Sequence, residues 1–307
     1  MENGKGTALA YLTALVSGIS VFANSFGVLT IDSTAYAFLK NITVAGILAA
    51  VCFSLGSWRE FLTLNRKQLL LLAFSGVAGG GIAFALFFAG LAATSGAAGS
   101  FLYRLLFVFA AVIGVAALRE KFEWKLALGA LAILAGNFIL LGDAALSLSS
   151  GMLLVLGATA LWAAEYAVSK KALESLSPST VAVARMGIGS LVLLAILAYT
   201  GKITALGSIT PSSFAWIAVA TGFLVLFTTL WYSALKSTTL ISATAALVLG
   251  GPVSALLSFA FAGKALLPLQ ATGFLLLALG AVFVVGTAET LAAVAWLREK
   301  AIRRLRA

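Results

Sequence analysis

The chain has 307 residues, of which 62% are hydrophobic and only 10% charged, with no histidine and a net charge of +10. A mean hydropathy of +1.11 excludes a soluble globular domain, which needs a far more polar surface. The basic residues are scattered between apolar runs and form no stripe, which excludes nucleic acid as a partner.

Ten apolar runs approach the ~20 residues of a helical span, at roughly 7–27, 34–56, 68–92, 95–117, 124–142, 151–172, 179–200, 213–235, 239–262 and 267–287. They are apolar all round and lack the alternation of membrane β-strands, so the expected fold is an all-α integral membrane protein with ten transmembrane helices. The N-terminus lacks the A-x-A cleavage pattern of a secretory leader, and its apolar run reads as a retained first span. The lone Cys52 lies in an apolar stretch and reads as a small hydrophobe.

With a cytoplasmic N-terminus, the inner segments carry fifteen Lys and Arg, from Lys5 to Arg306, against Lys202 and Lys264 outside. That asymmetry predicts a multi-pass protein of the cell (inner) membrane with both termini cytoplasmic. Residues 289–307, "ETLAAVAWLREKAIRRLRA", interleave five bases with Trp296, Leu297, Ile302 and Leu305. This basic amphipathic tail suits anionic inner-leaflet lipids, at about 1 kcal/mol per basic residue.

Away from span ends, four ionisable residues interrupt the runs: Lys40, Arg104, Glu165 and Arg185. Each costs about 2.5–3.5 kcal/mol at a helix centre, so such groups face a cavity or pair. At ~1.5 Å per residue, Lys40 and Arg104 fall about 10 Å below the outer surface, and Glu165 and Arg185 about 10 Å from the inner one. Depth therefore predicts an inner Glu165–Arg185 pair and an outer cationic couple, Lys40 with Arg104, suited to a substrate carboxylate or phosphate. Glu165 is also a candidate protonatable coupling site.

Trp162, Glu165 and Ser169 share one helical face, with Tyr166 beside it and Tyr103 next to Arg104. Trp231 and Tyr232 lie toward the inner end of the eighth span. An aromatic wall with one acid suits an ammonium group through cation–π contact. "GVAGGGIAF", with Gly79, Gly80 and Gly81, and "LGGP", with Gly251 and Pro252, interrupt helices at mid-membrane depth and are candidate hinges.

An offset of about 144 residues places Gly129, Gly136 and Gly142 on Gly273, Gly280 and Gly286, and Glu120 on Lys264. One residue more places Gly6 on Gly151 and Lys40 on Arg185. Five spans per copy is an odd number, so the second copy crosses the membrane inverted, a transporter signature. Residues 1–288 then form a single transmembrane domain, with repeats at about 6–143 and 150–288.

Specific segments resemble the EamA-type family of the drug/metabolite transporter superfamily over essentially the whole chain. They are "GMLLVLGATALWAAEYAVSKKAL", "GVAALREKF" with Glu120, "GGPVSALLSFAFAGK" with Pro252, "LGALAILAGNFILLG" and "TGFLLLALGAVFVVG". Lys40 stands where that family usually has arginine, "FLYRLLFVF" lacks the family's proline, and Lys264 stands where the repeat would have a second Glu. The resemblance implies ten helices in two inverted repeats and a central cavity lined largely by spans 1, 3, 4, 6, 8 and 9. It also implies export or exchange of small metabolites.

No Walker motif, phosphate loop, metal cluster or catalytic triad is visible, so neither an enzyme nor a cofactor or metal is expected. The chain reads as a monomeric secondary active transporter that exports small polar metabolites such as amino acids by alternating access, with protons as the coupling ion. An exchanger of organic anions or phosphorylated metabolites is the alternative, and a passive channel or facilitator the rival class.

Overall fold

The computed structural model describes residues 4–94, 96–121, 124–141, 149–262 and 268–305; Gly142, Lys264 and Arg306 lie outside them. Among the described residues nine helices are long and apolar enough to cross a membrane, and Trp124–Leu140 is a shorter apolar tenth. The first two spans are α1 (Lys5–Gly27) and α2 (Ser33–Ser54). The third joins α3 (Arg66–Phe74), a π-helical segment (Ser75–Ile82) and α4 (Ala83–Ala92). The fourth is α5 (Gly96–Arg104) with α6 (Leu106–Leu118), and the fifth is α7 (Trp124–Leu141). Then come α8 (Ser150–Ala172), α9 (Pro178–Tyr199) and α10 (Pro211–Ser237). The ninth span is α11 (Leu240–Leu247) with α12 (Gly250–Ala262), followed by α13 (Pro268–Val285) and the tail helix α14 (Thr287–Leu305).

Helix starts are written in short polar side chains that satisfy the orphan N–H groups of a first turn. Asp32 accepts from Thr34 and Ala35 before α2, and Asn65 with Gln68 forms a capping box before α3. Ser177 and Thr210 cap α9 and α10, each followed by a proline at the first helical position.

The interruption expected at "LGGP" is present, whereas the glycines of the third span change the helix without breaking it. In the third span the glycines widen the helix into a π segment. The fourth span breaks at Leu105 without any proline. The 144-residue offset carries Leu105 onto Leu249, inside the break between α11 and α12, so the two halves are interrupted at equivalent points. Pro252 sits in the first turn of α12, where its missing N–H removes no helical bond.

Packing respects the repeat. The equivalent helices α2 and α9 lie against each other, as do α7 and α13. At the latter crossing Gly136 meets the Gly273 carbonyl, and Gly280 meets that of Gly129. Exchanging the halves maps this contact set onto itself. α1 packs on α10, and α8 packs on α4 and the π segment, so the centre of the bundle is built from both repeats.

Candidate functional site

The centre holds a fully buried ion pair. Arg185 Nε lies 3.2 Å from Glu165 Oε2, and both side chains are at most 2% exposed. The other carboxylate oxygen, Oε1, accepts from Ser75 Oγ at 2.7 Å, Ser169 Oγ at 2.5 Å and the Tyr232 hydroxyl at 3.0 Å. Thus α8, α9, α10 and the π segment all converge on one acid. Breaking such a pair leaves an uncompensated buried charge, which is expensive.

The π segment supplies the rest of the cradle. Its Gly79 carbonyl accepts from Trp162 Nε1 at 2.9 Å and from an Arg185 terminal nitrogen at 3.3 Å, and the Gly80 carbonyl accepts from Asn41 at 3.0 Å. A methyl on Gly79 would run into the Glu165 side chain, and one on Gly80 into the Arg185 carbonyl oxygen. Glycine here permits close approach. Gly81 packs likewise on Val192.

Beside the pair lies a cavity with about 60 Å³ open to the centres of water molecules. Its lining includes Ser17, Ser20 and Asn24 of α1, Lys40, Phe84, Phe87, Phe88, Tyr103, Trp162, Tyr166, Arg185 and Phe227. Among the described residues, no aspartate or glutamate lines it. Spans 1, 2, 3, 4, 6, 7 and 8 contribute, so the second and seventh enter through their cations, and the ninth does not line it. Trp162 forms the aromatic wall with Phe84, Phe87 and Tyr103, at ring-centre distances of 5.3, 5.0 and 5.6 Å.

Lys40 is 1% exposed and is held by a neutral oxygen, Asn24 Oδ1 at 3.1 Å, which also accepts from Tyr36. Its ammonium sits over the Phe88 ring at 3.9 Å, with Tyr36 and Phe84 further off. Among the described residues it has no carboxylate partner. Counted by residue type, the two bases Lys40 and Arg185 outnumber the one acid, Glu165, in the buried centre.

The ion pair expected from depth is therefore present, whereas the outer couple of Lys40 with Arg104 does not form. Arg104 lies against Gly251 and donates to Asn137 Oδ1 at 3.3 Å, on the side of α5 facing α7 and α12. Tyr103 faces the cavity instead, since successive helical residues differ by about 100° in direction. Glu165 shares a face with Trp162 but sits behind the lining, so the expected acid-and-aromatic wall presents only its aromatic part. Tyr166 lines the cavity, and Trp231 packs behind it, tilted, with ring centres 4.5 Å apart. The Trp231 indole N–H is buried without a hydrogen-bond partner among the described residues.

Sequence reasoning passed over Ser20, Asn24, Asn41 and Ser75. Small polar residues in apolar helices look like ordinary packing; the available signal was the repeat, which carries Ser20 and Asn24 onto Glu165 and Ser169. It also passed over a set of charged caps at the lysine-rich end of the bundle. Glu120 accepts from the backbone N–H of Leu240 and Ile241 at 2.6 and 3.0 Å, closing the N-terminus of α11 from the other repeat. Glu60 does the same for Ser177 at 2.9 Å, and Lys170 donates to the Leu235 carbonyl at the end of α10. At the opposite end the cross-repeat ion pair is Lys202 with Asp32, at 2.8 Å. No group of three or more His, Cys, Asp or Glu comes together among the described residues.

A solved crystal structure matches 94% of this chain and 98% of its own, with a TM-score of 0.69 at 16% sequence identity, a likeness of fold. No curated protein matches the chain. The model of the EamA-like transporter family matches twice, over residues 4–142 and 149–286, dividing the chain where the inverted repeat does. With both copies matched across nearly the whole length, the chain belongs to the EamA-like transporter family, multi-pass membrane transporters of the drug/metabolite type.

Proposed function

We propose that the chain is a secondary active transporter that exports small carboxylate-bearing metabolites, amino acids among them, by alternating access. The observation that carries this reading is the central cavity, which presents Lys40 and Arg185 on aromatic walls and has no acid in its lining among the described residues. A buried excess cation favours an anionic guest, because an unpaired charge is costly in this setting. The ammonium of an amino acid would lie against the Trp162 and Tyr103 rings, where cation–π attraction operates.

The spacing of charged side chains supports a cytoplasmic position for the end bearing Glu60, Glu120 and Lys170, and for both termini. The cavity then lies on the outer side of the Glu165–Arg185 pair, with the capped end closed. Opening inward requires that pair to part, and protonation of Glu165 is the step that would release Arg185. The basic α14 rests on the anionic inner leaflet in this reading.

The test is uptake into proteoliposomes, with and without a pH gradient, of three probes of equal size: lactate, alanine and alaninamide. Lactate and alanine are expected to be transported and alaninamide, which lacks a carboxylate, to be excluded. Preference for alaninamide would overturn the substrate class. If Glu165→Gln keeps wild-type rate and response to the gradient, proton coupling through Glu165 is wrong.

A further inference from the structure

The 145-residue offset that carries Lys40 onto Arg185 also carries Ser20 onto Glu165 and Asn24 onto Ser169. The same three seats are linked in both halves, but the cation lands on a different one in each. In the second, Ser169 donates to Glu165, which pairs with Arg185. In the first, the Asn24 amide donates to Ser20 Oγ at 3.1 Å, and Lys40 donates to the Asn24 oxygen at 3.1 Å. The seat that carries the acid in the second half holds a hydroxyl in the first, and there the cation bonds the Asn24 seat instead. Ser20, Asn24 and Lys40 all face the cavity, whereas Glu165 and Ser169 do not.

We infer that Ser20 is the charge-specificity residue of the site: by leaving the acid's seat without a carboxylate, it makes Lys40 the receptor for the carboxylate of the substrate. This rests on the reading of the cavity as the substrate site and assigns the substrate's carboxylate to the first-half set. Asn24 Oδ1 is already shared between Tyr36 and Lys40. Two of the three ammonium N–H bonds therefore lack an acceptor oxygen among the described residues, a deficit that a bound carboxylate fills. A carboxylate built into the chain at residue 20 would fill it permanently, as Glu165 does for Arg185.

The experiment compares S20E with S20Q, similar in size and differing in charge, as purified full-length protein in detergent. Without ligand, S20E is expected to unfold about 2 °C or more above S20Q, because the buried cation gains a partner. In thermal-shift titrations with lactate, S20E is expected to need about tenfold or more lactate than S20Q for half-maximal stabilisation. Equal melting temperatures, or equal lactate dependence, would overturn the inference. If the wild type responds to none of lactate, alanine and alaninamide, the substrate reading fails and the assignment of a substrate carboxylate to Lys40 fails with it; a wild type that responds to lactate while S20E and S20Q melt alike overturns the Ser20 assignment alone. Where S20E does not fold, S20D against S20N carries the same comparison.

Discussion

The two halves of the buried centre place a cation and two polar side chains at equivalent positions and join them differently. In the second half an arginine meets a glutamate that is itself held by three hydroxyls, so the charge is settled inside the protein. In the first half a lysine meets an amide and aromatic rings, so the charge is left for something else to settle. Duplication supplied a symmetric frame, and the chemistry of a site arises where that symmetry is broken. On the function proposed above, one half holds the bundle together and the other receives a guest.

That contrast can be broken most directly by removing each cation in turn. Arg185→Met strands Glu165 as an unpaired buried charge and should cost about 3–5 kcal/mol, whereas Lys40→Met strands no charge and should stay within about 1 kcal/mol of wild type. Denaturation in detergent followed by circular dichroism measures both; equal losses would show that Lys40 has a structural partner after all. Next in size is Gly80→Ala, whose methyl meets the Arg185 carbonyl and should cost about 1–3 kcal/mol through overpacking. Gly222→Ala, with no atom within 4 Å of the added carbon, should lie within about 0.5 kcal/mol.

Smaller effects sit at the two ends of the bundle. Glu120→Gln weakens the charge on the first turn of α11 and should cost about 1 kcal/mol, read as loss of protection of the Leu240 and Ile241 amides in hydrogen exchange. The smallest change is expected for Asp32→Asn, at about 1 kcal/mol or less. Burial would raise the Asp32 carboxyl, but the Lys202 ammonium and the amides of Ala35 and Thr34 outweigh it and hold it below the ordinary carboxylate range. A depressed carboxylate contributes fully above its unfolded value of about 3.9 and loses that contribution as pH falls through its folded value. The difference between wild type and D32N should therefore be flat from about pH 5 to 8 and shrink below about pH 4; a difference that grows on acidification would contradict the Lys202 contact.

Much of this arrangement is legible in the residues. Span length and polarity give the ten helices, since backbone groups in lipid must bond within their own segment. Depth along a helix is enough to pair Glu165 with Arg185, because rise per residue is fixed. Direction around the axis is less legible, and it separates Arg104 from Lys40. Which face of α5 meets α12 depends on how the breaks at Leu105 and Leu249 aim the half-helices, a tertiary matter. Phe84, Phe87 and Phe88 are invisible as site residues in a chain with 21 phenylalanines, until packing shows which of them meet Lys40 and Trp162. Ser20 was legible only by comparison with its counterpart, because a serine in an apolar helix carries no signal of its own.

The π segment has a consequence in register. A π turn fits one residue more into a helix than its rise requires. That surplus turns everything after it by about 100° relative to everything before it. On one side of Ser75–Ile82 lies α3, on the other the Phe84, Phe87 and Phe88 rings that face Lys40 and Trp162. Those rings point into the cavity because the chain before them holds a residue too many. A span shortened by a single glycine would keep its hydropathy and its length in the membrane, yet present a different wall to the guest.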